Sequence, residues 1–417
     1  MEFPTSKKEL ERLDWDYVDV ILITGDAFID HPSFGTAIIA RVLEQCDLRV
    51  AVLAQPNWRD DLRDFKKLGI PRLFFGISSG SMDSMVNHYT ATKRLRSNDA
   101  YTPGGTAGQR PDYATTVYSR IVKDLYPHIP VVLGGVEASL RRFSHYDYWS
   151  NTVKPSILVD SKADIVVYGM GEKAIVEIAK TLRNGGSIAD VRKISQIGYI
   201  SYLAEFPDNA LVLPSHEECV KSKKAYAQAF CAMESEINKC EPRPIVQACN
   251  SSEDNTHAPN SFVVINPPFA LPTTQELDDV YALPYTRMPH SRYAKKPEIP
   301  AFNMIQNSVT IHRGCFGACS FCSIAAHQGK RIASRSEQSI MKELQIIRSM
   351  PYFKGHISDL GGPSANMYAM GGRNESVCRQ CTRVSCLFPQ KCKNLNDSHK
   401  ALLQLYKKSL AVEGIKR

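Results

Sequence analysis

The sequence predicts an α/β protein: a doubly wound domain over residues 1–200, a connector over 201–305, and the opening of a second βα domain over 306–417. Three observations predict it. Short apolar runs alternate with amphipathic helical patterns through the first domain, as a parallel sheet covered on both faces requires. A strand–loop–helix–strand order follows residue 306, which is a βαβ unit. Seven of the 12 cysteines fall in two tight groups between 315 and 392, which marks metal ligation rather than packing.

The elements follow in order. VDVILIT (18–24) reads as a buried strand, and Thr36 to Gln45 as a helix with Ile38, Ile39, Val42 and Leu43 on one face. LRVAVLA (48–54) and RLFFGIS (72–78) are the next strands, with a charged helix near 59–67 between them. IPVVLGG (129–135) and DIVVYG (165–169) complete five, with helices near 111–126 and 172–183. Two stretches, 79–110 and 137–160, are too long and polar for ordinary connections. Both leave from the carboxyl ends of strands, where such sheets bind ligands. The second carries RRFSHYDYW (141–149), read either as a substrate-facing lid or as packing between domains. Residues 201–305 show a helix near 221–238, a polar loop at 249–260 and a Pro- and aromatic-rich stretch at 265–300 that should pack as an extended connector. RMPHSRYAKK (287–296) reads as a solvated face. QNSVTIH (306–312) begins a new strand, a helix at 336–349 is N-capped by Ser336, and GHISDL (355–360) is the returning strand.

Composition bounds the function. Apolar residues are 43% and charged residues 23%, an ordinary globular balance that excludes dominant disorder. No run approaches ~18 apolar residues, so no membrane span is expected. MEFPTSKKELERLDWD lacks an apolar signal core, so a cytoplasmic protein with reduced thiols is expected. The net charge of +8 is mild and does not call for nucleic acid.

The first cysteine group is HRGCFGACSFCSIAAHQGKRIASRS, with Cys315, Cys319 and Cys322 on a loop after a strand. Gly314 and Gly317 allow a tight turn. Thiolates select soft metals, zinc and iron–sulfur clusters. A structural zinc site ordinarily takes four ligands, and here there are three. A zinc knuckle is the alternative reading. CRQCTRVSCLFPQKC places Cys378, Cys381, Cys386 and Cys392 together, enough for tetrahedral zinc or a second cluster. Arg379, Arg383, Lys391 and Lys393 nearby would offset its negative charge. Cys46, Cys219, Cys231, Cys240 and Cys249 read as packing residues.

The spacing Cys-x3-Cys-x-aromatic-Cys, with Phe321 as the aromatic, resembles the radical S-adenosylmethionine (SAM) superfamily. The resemblance implies a [4Fe–4S] cluster on Cys315, Cys319 and Cys322, whose open iron binds SAM. One-electron cleavage would then give a 5′-deoxyadenosyl radical that abstracts hydrogen from a substrate. It also implies a one-electron donor such as flavodoxin or ferredoxin. Gly361-Gly362-Pro363-Ser364 resembles the family's SAM-contacting Gly-Gly-Glu-Pro turn, with the Glu missing. GDAFIDHPSFG, HYDYWS, YGMGEKA, NPPFALPTTQELDDVYALPYTR and SDLGGPSANMY extend the likeness to YgiQ-type radical SAM proteins, whose members are longer. The N-terminal domain resembles the cobalamin-binding-like domain of many relatives. Asp30-His31-Pro32-Ser33-Phe34-Gly35 departs from the usual Asp-x-His-x-x-Gly, so His31 reads as a hydrogen-bonded loop residue and bound cobalamin stays open. An RNA-modifying, methylthiotransferase-like enzyme and a non-catalytic zinc-stabilised binding protein are the alternatives. Only 112 residues follow 305, room for two or three barrel strands, so the (β/α) barrel is expected to be incomplete and the chain an N-terminal portion, the alternative being a natural short form completed by a partner chain.

Overall fold

The computed structural model describes residues 2–202, 206–249, 261–363 and 366–416. The polar loop expected at 249–260 lies outside the described residues from 250 onward, as does Ser364.

Nine strands form the main sheet. They are β1 (Val20–Thr24), β2 (Val50–Ala54), β3 (Phe74–Ser78), β4 (Val131–Leu133), β5 (Ile165–Val167), β6 (Ile197–Ser201), β7 (Leu211–Leu213), β8 (Ile245–Cys249) and β9 (Ser261–Ile265). Their order is β7-β8-β9-β6-β5-β4-β3-β1-β2. The run β2-β1-β3-β4-β5 is parallel throughout. Its order reverses at β1, which puts the topological switch point between β1 and β3. Every residue of β1 and β2 is buried, because both faces are covered.

Alternation along each strand builds two cores. Leu22, Val52, Phe74, Val132 and Val167 face helices α1 (Gly35–Glu44) and α4 (Glu172–Arg183). Ile23, Leu53, Phe75, Ile77 and Leu133 face α2 (Ala114–Leu125), through Tyr118 and Val122. A short helix α3 (Gly135–Leu140) leaves β4.

The boundary expected at residue 200 is corrected. It falls inside β6, and the described residues of 201–265 hold three further strands of the same sheet rather than a connector. β6 pairs antiparallel with β5 and β9, and β9 antiparallel with β8. These strands leave the parallel strand–helix alternation of the first five, and Gln247 interrupts the apolar run of β8, so their local pattern is weak. Helix α5 (Lys223–Ile237) packs on β7.

The Pro- and aromatic-rich stretch does pack on the sheet domain. Its helix α6 (Thr274–Tyr281) opens on a Thr273–Glu276 capping box. Met288–Pro289 pairs with Ile29–Asp30, and the Tyr293 hydroxyl accepts from the Phe28 N–H at 3.2 Å. RMPHSRYAKK is a solvated face only in part: Met288, Ser291, Ala294, Lys295 and Lys296 are exposed, whereas Arg287, His290 and Tyr293 are buried against the loop after β1.

The second domain holds β10 (Ser308–Thr310), a short helix α7 (Ile324–Gln328), the crossover helix α8 (Glu337–Arg348), β11 (Asp359–Gly361) and α9 (Lys400–Leu410). β10 and β11 are parallel, with Val309 beside Leu360. Ser336 caps α8 by accepting from the Ser339 N–H. Val309, Ile311, Ile340, Leu344, Leu360 and Leu405 form a separate core.

Candidate functional site: a crevice beneath a cysteine loop

A cavity of about 500 Å³ lies where the carboxyl ends of β1, β3, β4 and β5 meet the second domain. Ser78, Gly134 and Gly169 line one wall, and His312, Arg313 and Gly361–Pro363 the other. This is the switch-point position at which such sheets bind ligands.

Two buried polar links hold the walls together. Arg313, two residues before Cys315, pairs with Glu172 at the start of α4, and its Nε donates to the Tyr281 hydroxyl at 3.1 Å. Burial opposes the Glu172 carboxylate, but Arg313 outweighs it and holds its pKa below the ordinary value. Arg287 pairs with Glu343 of α8 at 2.5 Å and also donates to the Ser308 carbonyl at 3.1 Å. Arg335 pairs with the other Glu343 oxygen.

The cysteine loop leaves β10 through His312 and Arg313. Gly314 takes φ +88°, and a Cβ there would stand 1.9 Å from the Arg331 carbonyl oxygen, so only glycine fits. The Cys315 N–H donates to the Gly329 carbonyl at 3.1 Å, and the Cys322 N–H to the Cys319 carbonyl at 3.0 Å. A Cβ on Gly317 would meet Cys315 Sγ at 3.4 Å and Cys319 Sγ at 3.6 Å, so two thiols sit over one glycine. Cys315 and Cys322 are half-buried and Cys319 is exposed. Among the described residues no three His, Cys, Asp or Glu side chains are gathered as metal ligands. The loop supplies the donors without drawing them into a coordination sphere. Phe316 is buried, whereas Phe321 is 91% exposed and does not line the cavity.

The Gly-Gly turn is explained by close approach. A Cβ on Gly362 would come 2.3 Å from His312 Nε2, and one on Gly361 2.7 Å from Asn366 Oδ1. His312 Nε2 accepts from the Met367 N–H at 2.9 Å, which fixes the chain after the turn. Burial lowers the His312 pKa to about 4, so the ring is neutral.

His31 is fully buried and does not line the cavity. Its Nε2 faces Arg287 Nη2 at 2.7 Å and its Nδ1 faces the Ser33 N–H at 3.1 Å. Burial and the Arg287 guanidinium hold its pKa far below the ordinary value. It is the hydrogen-bonded loop residue that the sequence suggests. RRFSHYDYW is folded into its own domain. Arg141 pairs with Asp83, Arg142 donates to the Ser139 carbonyl, and Asp147 accepts from the Tyr113 hydroxyl at 2.8 Å.

The second cysteine group sits directly on the first loop. The Cys386 N–H donates to the Phe316 carbonyl at 3.0 Å, and Ser385 Oγ to the Gly317 carbonyl at 2.8 Å. Burial pushes the Cys386 thiol up. Lys330 opposes this, and the thiols of Cys392, Cys381 and Cys378 reinforce it. Cys240, read as packing, donates from Sγ to the Cys378 carbonyl at 3.2 Å. Sequence reasoning missed Glu172, Arg287, Arg313 and Glu343 as joints. The only signals were that Glu172 ends the Gly-x-Gly-Glu run and Arg313 precedes the cysteine loop.

Fold and site define an α/β protein whose switch-point crevice is lined by the two ends of a three-cysteine loop, His312 and Arg313 at one and Ser323, Ile324, His327 and Gln328 at the other, while Cys315, Cys319 and Cys322 themselves do not line it. The chain matches the family model described as Radical SAM N-terminal over residues 3–308, and it belongs to that family. It is 53% identical to a UPF0313 protein of Bacteroides thetaiotaomicron, over 99% of this chain and 67% of that one. It is 52% identical to a UPF0313 protein of Porphyromonas gingivalis, over 97% and 63%. It is 47% identical to a UPF0313 protein of Methanocella arvoryzae, over 99% and 67%. The chain thus spans about two thirds of the length of these relatives. Among solved structures it is similar to the radical SAM methyltransferase TsrM of Kitasatospora setae, at 15% identity and a TM-score of 0.42, over 82% of this chain and 47% of that one. Among the described residues no helix is long and apolar enough to cross a membrane.

Proposed function

We propose that the chain is the cluster-bearing part of a radical SAM enzyme of the YgiQ type. Cys315, Cys319 and Cys322 would hold a [4Fe–4S] cluster, and Gly361, Gly362 and Pro363 would contact SAM through the backbone. When bound, the cluster supplies the electron that cleaves SAM to methionine and a 5′-deoxyadenosyl radical. β10 and β11 would be the first strands of the (β/α) barrel. The supporting observation is the shared cavity: the Gly361–Pro363 turn and the root of the cysteine loop, His312 and Arg313, line one wall of the switch-point crevice. His312 positions the turn by accepting from Met367, and Arg313 ties the loop to Glu172. Phe321 would meet SAM only if the outer turn of the loop folds inward, since it now faces solvent. His31 is committed to Arg287, so a cobalt ligand from this loop forms no part of the reading. A flavodoxin- or ferredoxin-like donor would deliver the electron in a cytoplasmic setting, and Cys378, Cys381, Cys386 and Cys392 would hold a second metal.

The test is anaerobic reconstitution followed by measurement of 5′-deoxyadenosine. Reconstituted protein should form it with dithionite and SAM, and Cys319→Ala should not. Protein with a verified cluster that never cleaves SAM would refute the reading. Zinc alone, without iron or acid-labile sulfide, would favour a binding protein instead.

A further inference from the structure

We infer that residues 371–396 are a metal-stapled clamp on the cysteine loop, in which Cys378, Cys381, Cys386 and Cys392 hold one tetrahedral, zinc-type ion. The metal deepens the reading above by giving that second site a mechanical task.

The first observation is a missing core. The segment is closed at its base by Gly371–Gly372 pairing with Leu395–Asn396, and it carries one short helix, Glu375–Arg379. Between residues 373 and 394 Ser385 is the one buried residue. Val377, Val384, Leu387 and Phe388 are all exposed. Small units without an apolar core are held by disulfides or metals. No disulfide is present: all four cysteines are free.

The second observation is where the cysteines lie. Each is half-buried while most of its neighbours in sequence are exposed. They form two backbone-bonded pairs. The Cys381 N–H donates to the Cys378 carbonyl at 3.1 Å, and the Cys392 N–H to the Cys386 carbonyl at 2.8 Å. Asn394 Nδ2 donates to Cys378 Sγ at 3.3 Å, the kind of outer contact that orients a thiolate ligand. A Cβ on Gly372 would meet the same sulfur at 2.2 Å, so the glycine leaves room for it. Four thiolates close a structural zinc site with no open position. The thiols are not gathered in ligating positions, and binding a metal would gather them, as in domains that fold around their ion.

The third observation is the contact. The Cys386 N–H and Ser385 Oγ hold the carbonyls of Phe316 and Gly317, the two residues after Cys315. Cys386, Cys392 and Cys315 pack on one small cluster with Phe316, Met367, Met370 and Leu395. A metal that orders Cys386 therefore orders the loop that carries Cys315 and Cys319.

The experiment uses the full chain with Cys315, Cys319 and Cys322 replaced by alanine, so the radical SAM reading cannot contribute to the signal. Titrated with Co2+ under reducing conditions, this variant should bind one ion per chain, with tetrahedral ligand-field bands and the charge-transfer intensity of four thiolates. Adding Cys386→Ser should reduce that intensity to three thiolates, and Cys240→Ser should leave it unchanged. No cobalt binding, or fewer than four thiolates at the start, overturns the site. Uptake of iron and sulfide by this variant in preference to a single ion overturns the zinc-type assignment. The clamp is read separately by hydrogen exchange of residues 315–322 in otherwise wild-type protein. Removing the second-site metal with a chelator should speed exchange severalfold, and Ser385→Ala should do so with the cobalt spectrum intact. Unchanged exchange in both overturns the clamp.

Discussion

Arg287 Nη2 stands 2.7 Å from His31 Nε2, and both side chains are buried where the loop after β1 meets the second domain. The same guanidinium reaches Glu343 on α8 and the Ser308 carbonyl on β10. One side chain thus joins the switch-point loop, the connector and the second domain. Arg287→Ala leaves Glu343 with Arg335 alone and His31 without its neighbour. Breaking a buried pair costs about 3–5 kcal/mol. Urea unfolding should show a loss of that order, and a loss below ~1 kcal/mol would mean the joint carries little.

The second prediction concerns acid. His31 is held far below its ordinary pKa, and His145, His312 and His327 are each lowered to about 4, in all four cases first by burial. In the unfolded chain these rings take up protons near pH 6.5. Their contribution is therefore complete above pH ~6.5 and is lost as pH falls from there toward about 4. Each group can cost up to ~1.4 kcal/mol per pH unit in that window. Urea midpoints at pH 8, 6 and 5 should fall in that order, and a midpoint that rises on acidification contradicts the assignment.

Gly362→Ala tests the turn. Its Cβ would press on His312 Nε2 and displace the bond from Met367. Overpacking of this kind costs about 1–3 kcal/mol. SAM affinity measured calorimetrically should weaken about tenfold, equivalent to ~1.4 kcal/mol. Unaltered SAM binding would place the turn away from SAM.

Glu172→Gln tests the link between α4 and the cysteine loop. Arg313 keeps Tyr281 but loses a charged partner in a buried setting. The expected loss is about 1–3 kcal/mol in stability. 5′-Deoxyadenosine formation should slow while iron content stays at the wild-type value, separating positioning of the loop from its assembly. Equal loss of iron and rate would mean that Glu172 is needed for assembly itself.

Gly314→Ala should prevent the loop from closing. The left-handed backbone costs roughly 1–3 kcal/mol for a residue with a side chain, and the Arg331 carbonyl leaves no space for it. Reconstituted iron should fall severalfold, and normal iron content would show that the loop tolerates a different path.

Much of this molecule was legible from its residues. The five parallel strands stood out because burial on both faces makes each a continuous apolar run. Helix α4 was expected at 172–183 and spans Glu172–Arg183. The spacing of Cys315, Cys319 and Cys322 could be read because it is local, and the structure sets two of these thiols over Gly317. Strands β7 to β9 were not legible, although they are no shorter than β4 and β5: Gln247 interrupts the apolar run of β8, and β9 pairs antiparallel with both neighbours, outside the strand–helix alternation that marks the first five.

By itself the sequence determined the α/β alternation, the cysteine spacings and the family to which they belong, all of them properties of neighbouring residues. The tertiary structure alone decided that the ends of the cysteine loop line the crevice, that His31 is spent on Arg287, and that Cys386 holds the Phe316 carbonyl. The His31–Arg287 contact joins residues 256 positions apart, and the Cys386–Phe316 contact residues 70 apart. No local periodicity encodes them: they form only when segments distant in sequence meet, and the fold must first offset the cost of closing such long loops.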